Sequence, residues 1–380
     1  MATTFGAKSS PKHVPAIIAA VLTIAFLILG FKRLDLTGTD FLTRVEFLWM
    51  DYKFKIRGPQ TSGNEVLLVG LDGKTLNRYG SGRLFQRDIF ANLVDRLAEA
   101  KPKIIGFDIT FPDPDPTNPD NDKKFAQSIK RAGNVVLGIE LVLESNVGDR
   151  RAATPMSREF EDIIVAKQIF PAERRSAGES GKLSSLIRAS SSLLNLPELT
   201  DAALSFGFVN FHRDVEGGLR YQPQFIEYQG RLYPSLDIQV LKNYLDAPSA
   251  MVEIQGEHIN QVQVGNYTLP TDSFGRYMLN FDGARGIHKT VSMVDVIDGN
   301  IPANVIKDKI VIIGSPEVGL SDVVTSPFDS TLPAMELHAN VLENFIHQRF
   351  LYRPISAQFT DIVLIVVFNV LLRQIGRAHV

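Results

Sequence analysis

The sequence predicts an α/β fold in three layers, with a mostly parallel sheet that carries an antiparallel portion, flanked by transmembrane helices. Three observations lead there. Apolar runs with no polar alternation recur at Val66 to Leu71, Lys103 to Ile109, Asn134 to Leu141 and Ile310 to Gly314, as in strands covered on both faces. Helical spacing fills the intervals: Ile89, Phe90, Leu93, Val94 and Leu97 share one face of 87–100, and 120–132 opens on an acidic turn. Between 206 and 233, short runs at Phe206 to Phe211, Leu219 to Tyr228 and Arg231 to Tyr233, broken at Gly217-Gly218 and Gln229-Gly230, predict antiparallel strands.

Taken in order, residues 15–31 carry no charge and, at about 1.5 Å per residue, reach the shortest length that spans a bilayer core. A retained transmembrane helix is expected, because no small-x-small cleavage site follows Leu29, and the flanking lysines do not decide its orientation. Residues 41–57 carry a helical apolar stripe that ends at Gly58-Pro59. The first two strands and the helix 87–100 between them make a βαβ unit, parallel and right-handed. From 143 to 180 periodicity fades and charge rises, predicting a surface insertion with a helix near 158–168. Leu183 to Leu194, Pro234 to Leu245 and Thr290 to Ile297 read as helices, and 250–280 as short strands. The stretch 303–346 organises the chain, because an apolar strand opens into a Gly-Ser-Pro-Glu-Val-Gly loop. From Leu332 a helix follows, with Leu337, Val341, Leu342, Phe345 and Ile346 on one face. Residues 355–374 read as the start of a second transmembrane segment, and 375–380, IGRAHV, as a translated sequencing-library adapter. The natural chain is then expected to continue beyond Gln374.

With 380 residues, 44% hydrophobic and 22% charged, the chain has material for one large or two modest domains. A net charge of −2 gives no electrostatic footprint for nucleic acid, and no such partner is expected. The absence of cysteine excludes disulfides, thiolate nucleophiles and Cys-based zinc sites.

Asp72 and Asp108 each end an apolar strand, and Asp322 closes the loop after the third. Ligand crevices of open α/β sheets lie at those strand ends, so these carboxylates are candidates to bind a cation or a small-ligand amine. Capping of the following turns is the competing role. Ser315, in the glycine-flanked loop, joins the set, although that loop lacks the Lys-Ser/Thr of a phosphate-binding loop. The run 112–122 fails as a calcium loop, with Asn118 where Gly is needed and Lys124 where Glu is needed. His212, Arg213, Asp214, Glu216 and Arg220 read as cross-strand ion pairing. His338 lacks a second histidine at helical spacing, so no metal ligand set is assigned. No nucleophile with a positioned base stands out, and neither a catalytic residue nor a cofactor is implied.

The words KIVIIGSPEVGLSD and PAMELHANVLENF resemble the C-terminal half of the CHASE2 domain, an extracytoplasmic sensor module of bacterial membrane receptors. EVLLVGLDGKTL at 65–76, KIIGFDITFPDPD at 103–115 and GFVNFHRDVEGGLR at 207–220 agree in the family's order, over roughly 45 to 350. The resemblance implies a cytoplasmic stretch 1–14, a sensor domain at 41–350 outside the inner (plasma) membrane, an unknown small-molecule ligand, a lipid bilayer contact and a homodimer. It also implies a downstream adenylate or guanylate cyclase or kinase. It adds Arg87 to the candidate ligand-binding set, as the residue kept where the family tends to show Trp-Pro and Arg. Ala334 departs from the family's usual Pro-Gly-Val. Two other readings stay open: a membrane-tethered hydrolase using Asp72, Asp108 and Asp322 around a divalent metal, and an interaction domain with no ligand.

Overall fold

The computed structural model of the chain describes residues 41–80, 86–144, 158–167, 169–175, 186–214, 217–256, 258–272, 274–317, 319 and 322–351, with Thr360, Val363, Leu364 and Val367 beyond. The apolar run 15–31, and 355–374 apart from those four residues, lie outside the described residues. No helix among the described residues is long and apolar enough to cross a membrane. Contacts concentrate in a unit spanning Trp49–Leu351; Met1–Leu48 and Tyr352–Val380 make up a second unit.

In chain order, α1 (Phe41–Arg57) leads to β1 (Val66–Gly70), α2 (Gly73–Tyr79), α3 (Arg87–Ala100), β2 (Ile104–Phe107), α4 (Asp120–Ala132) and β3 (Val135–Leu143). Next come α5 (Arg158–Ala166), β4 (Ala172–Arg175), β5 (Ala189–Leu193), α6 (Pro197–Ala202) and β6 (Ser205–Phe208). Strands β7 (Tyr221–Pro223), β8 (Phe225–Tyr228) and β9 (Arg231–Pro234) precede α7 (Leu236–Tyr244). After β10 (Ala250–Gln255), β11 (His258–Val264), β12 (Tyr267–Leu269) and β13 (Arg276–Met278), the chain continues through β14 (Thr290–Ser292), α8 (Met293–Ile297) and α9 (Ala303–Ile306). Strands β15 (Ile310–Gly314), β16 (Val323–Val324) and β17 (Leu332–Pro333) bring it to α10 (Ala334–Ile346).

Local chemistry explains several boundaries. α4 has Asp120 and Asp122 in its first turn and Lys130 and Arg131 in its last, matching the helix dipole, and stops at Gly133 in the left-handed region. α7 starts at Ser235, whose Oγ accepts from the Ile238 amide at 3.2 Å.

The main sheet runs β14-β1-β15-β2-β3, with parallel β6 beside β3 and β5 pairing antiparallel to the end of β3. Side chains alternate between two cores. Leu67, Val69, Ile105, Phe107, Val311 and Ile313 face one core, which the buried faces of α3 and α4 complete. Val66, Leu68, Ile104, Ile310 and Ile312 face the other, together with α7, α10 and the four-stranded sheet β12-β11-β10-β4. Burial on both faces is why these strands carry no polar alternation.

β1 and β2 are parallel as expected, and β15 pairs with both and lies between them. Three expectations need correction. The run at 206 is β6, parallel to β3, because its backbone extends the main sheet instead of joining the later hairpin. Among the described residues of the run Leu183 to Leu194 there is no helix: Ala189–Leu193 is β5, and its serines pair with the edge of β3, which outweighs helical spacing. Thr290 to Ile297 splits into β14, held by β1 backbone groups, and then α8.

β6 passes so close to the start of α7 that a Cβ at Gly207 would lie 2.5 Å from the Ser235 carbonyl oxygen. Gly207→Ala is therefore expected to destabilise the fold by about 1–3 kcal/mol. Denaturant unfolding followed by circular dichroism checks this, and an unchanged midpoint would rule out the close approach.

Candidate functional site

The register places Gly70 beside Gly314 and Ile313 beside Phe107, so the chain leaves β1, β15 and β2 at one edge of the sheet. Ser315 and Asp108 follow β15 and β2 directly, and Asp72 follows β1 after one intervening residue. Asp72 caps α2: its Oδ1 accepts from the Thr75 amide at 3.0 Å, the Thr75 hydroxyl at 2.8 Å and the Ser292 hydroxyl at 2.8 Å. Ser315 is buried; its Oγ donates to the Leu71 carbonyl at 3.2 Å and accepts from the Glu317 amide at 3.2 Å. Glu317 in turn accepts from the Gly73 amide at 3.1 Å, so the loops after β1 and β15 are joined.

Asp108 faces inward. Its Oδ1 lies 3.6 Å from Nε2 of His338 on α10, and His338 Nδ1 is 2.8 Å from Oδ1 of Asp237 in the first turn of α7. His338 and Asp237 are fully buried and Asp108 is 8% exposed, so this acid–imidazole–acid chain is shut off from bulk water. The Phe211 ring covers the imidazole at 5.2 Å between centroids. Burial disfavours a charged imidazole, but the carboxylates of Asp237 and Asp108 outweigh it and push the His338 pKa up to about 10. Burial pushes the Asp108 carboxyl up, with Asp322 and Asp237 acting in the same direction and His338 against it. Asp322 is exposed at the outer side of this group, and its carbonyl accepts from the Ala334 amide at 3.0 Å.

Arg87 lies elsewhere. Its amide donates to Asp115 Oδ2 at 2.7 Å, Nη2 donates to the Asp113 carbonyl at 2.5 Å, and Nε is 3.4 Å from Asp122. Its guanidinium also stacks 5.0 Å from the Phe111 ring centre. The run 112–122 wraps the starts of α3 and α4, where Asp115 also accepts from Thr117 and Asn118. Burial opposes charge there, yet the hydrogen bonds from Arg87 and Thr117 hold the Asp115 carboxyl far below the usual range.

Of the five candidate residues, Asp72, Ser315, Asp108 and Asp322 therefore lie at the strand-end edge, and Arg87 serves a structural hub of its own. Sequence reasoning missed Asp237 and dismissed His338. No local signal marks this pair: Glu336, His338, Asn340, Glu343 and Asn344 give no sign in the sequence that the helix is buried from Ala334 to Phe345, and it is that burial that requires a partner for His338.

The family model for the CHASE2 domain matches residues 18–372. The chain belongs to the CHASE2 domain family. No curated protein and no solved structure matches it. CHASE2 domains are extracellular sensory domains, which assigns this chain a sensory input role and a place in a membrane-associated receptor. A CHASE2 domain is a sensory module and is not itself catalytic.

Removing the imidazole would leave two buried carboxylates facing each other. His338→Ala in this CHASE2 domain is expected to lose about 3–5 kcal/mol of stability. Because the folded His338 pKa lies above the unfolded value of about 6.5, its contribution is full below that pH and is lost as pH rises toward about 10. Unfolding midpoints measured across that window should fall with pH in the parent chain and lose this slope in His338→Gln.

Proposed function

We propose that this chain is the extracytoplasmic input of a bacterial inner-membrane receptor. A small ligand carrying a cationic group is recognised at the strand-end edge by the exposed Asp322, with Asp108 and Ser315 buried behind it, and domain closure on the ligand is relayed to an adenylate or guanylate cyclase or a kinase downstream. Two copies work together, with Trp49, Tyr52 and Ile56, exposed along α1, as the pairing face.

The observation that carries this reading is the segment Asn280–Asp282, which joins both ends of the domain. On the incoming side, Arg57 at the end of α1 donates to Asn280 Oδ1 and to the Phe281 carbonyl, and the Gln60 amide donates to the Asp282 carbonyl at 2.7 Å. On the outgoing side, Arg349 Nη2 lies 3.0 Å from Asp282 Oδ2, and Asn344 donates to the Asn280 carbonyl at 2.6 Å. Asn340 accepts from the Asp282 amide at 2.7 Å. Asp282 itself is fully buried, and burial pushes its carboxyl up to about 6 against the pull of Arg349 and Arg57. A second tie holds α1: Arg220 pairs with Asp51 at 2.6 Å and with Asp214. A shift of α10 thus reaches the end of α1 through Asn340 and Asn344, which hold the Asp282 amide and the Asn280 carbonyl, and through Asn280 and Phe281, which hold Arg57. The Asp282 carboxylate anchors this segment to Arg349.

The hydrolase reading is weaker, since Asp72 Oδ1 already accepts three hydrogen bonds. Thermal unfolding of the detergent-solubilised chain against a panel of small amines and metabolites tests the ligand. A binder at a hundredfold excess over its Kd is expected to add about 2.7 kcal/mol, and Asp322→Asn to remove that gain. No stabilisation by any panel member would leave the ligand-free interaction domain as the better reading.

The relay has its own test. With the chain fused to a cyclase reporter in a bacterial host, Asp282→Asn is expected to change basal cyclic-nucleotide output at equal protein level. Unchanged output from a folded variant would refute the role of Asp282.

A further inference from the structure

At the opposite edge of the main sheet, a second cluster is left unused by the sensory reading. Glu65 stands immediately before β1, while Glu343 and His347 sit one turn apart at the end of α10. One carboxylate oxygen from each glutamate and a ring nitrogen of His347 all lie within 4.8 Å of one another. His347 Nε2 is 3.0 Å from Glu65 Oε2 and 3.7 Å from Glu343 Oε2.

A histidine beside two carboxylates is common on protein surfaces, and the state of Glu343 sets this group apart. Its side chain is 0% exposed; Oε1 accepts from the Val66 amide at 3.3 Å, but buried Oε2 has no hydrogen-bond partner. Such an oxygen is costly to leave unpaired, and this one is directed at the other two ligand atoms. Burial pushes the Glu343 carboxyl up and the neighbouring Glu65 adds to that, while the Val66 and Gly63 amides and His347 act against it.

Gly63 provides the second element. A Cβ there would lie 1.8 Å from Glu343 Oε2 and 2.3 Å from Glu65 Oε2, so any side chain would fill the space between the carboxylates. Gly63 is absent from the left-handed region, so it serves this space and not an unusual backbone. Lys309, hydrogen-bonded to Asn64, and Tyr244 border the group.

We propose that Glu65, Glu343 and His347 bind one divalent transition-metal ion of the zinc class. Two carboxylate oxygens and one imidazole nitrogen form a mixed donor set suited to zinc-type ions more than to calcium or magnesium, which take oxygen donors alone. Three protein ligands leave a coordination position open, and the partial exposure of Glu65 and His347, 32% and 39%, gives solvent access to it. The ion ties the segment that follows α1 to the end of α10, at a point remote from the strand-end edge. The site stands on this geometry alone and holds whether or not the sensory reading does.

The test uses the full chain in detergent, stripped with chelator, then titrated with Zn2+ by calorimetry and with Co2+ by visible absorption. One ion per chain is expected, together with a rise in the unfolding temperature. Glu343→Gln and His347→Ala are each expected to weaken binding at least about 10-fold. Glu343→Gln keeps the side-chain shape while removing the unpaired charge, so without metal its unfolding temperature should equal or exceed that of the parent. Two results would overturn the site: no stoichiometric uptake by the folded parent chain, or uptake unchanged in both variants.

Discussion

The rest of the fold depends on the pairing of β15 between β1 and β2. The strand comes from near the end of the chain, yet it fills the middle of the sheet, and Ile310–Gly314 is buried at every position. Until it is in place, β1 and β2 have no shared edge, and the two cores on either face have no common wall. It also brings Asp72, Ser315 and Asp108 to one edge, although they are far apart in sequence. A sheet closed this way places much of its pairing among distant segments, so local signals alone cannot assemble it.

Helix α10 extends that constraint to the polar side chains. It is buried from Ala334 to Phe345, so each polar group on it must find a partner inside the protein. Glu336 accepts from the Gly286 amide at 2.7 Å, His338 meets Asp237 and Asp108, and Asn340 and Asn344 hold Asn280. Glu343 reaches Val66 at the start of β1. One helix thereby contacts the strand-end edge near its start and the opposite edge at its end. At about 1.5 Å per residue, His338 and His347 stand roughly 13 Å apart along its axis. A rod of that length is fixed by polar contacts to α7, β1 and the 280–282 segment.

The two ionic groups on this helix differ in kind. The His338 group lies in the interior, where an imidazolium between two carboxylates locks α7 to α10 and to the end of β2. The Glu65, Glu343 and His347 group is half open to solvent and contains an unpaired buried oxygen. The Asn280–Asp282 segment forms a third centre: the Phe281 carbonyl holds Arg57 at the end of α1, and Asp282 holds Arg349 after α10. Each of the three joins residues far apart in sequence, and all depend on α10 lying against the sheet.

The sequence by itself determined the elements whose signal is local. The bounds of α1, α3 and α4 follow from apolar spacing, charge placement and caps, and the strands buried on both faces follow from their unbroken apolar runs. The motif order was likewise enough to indicate the family. Tertiary structure alone decided which strands are neighbours, that Ala189–Leu193 pairs as β5, and that Thr290–Ser292 pairs with β1. It also separated Arg87 from the strand-end carboxylates and brought Asp237 to His338. The physical reason is the same throughout. Periodicity and capping act within a few residues, whereas strand pairing and buried charge pairing are settled by whichever distant segment occupies the adjoining space.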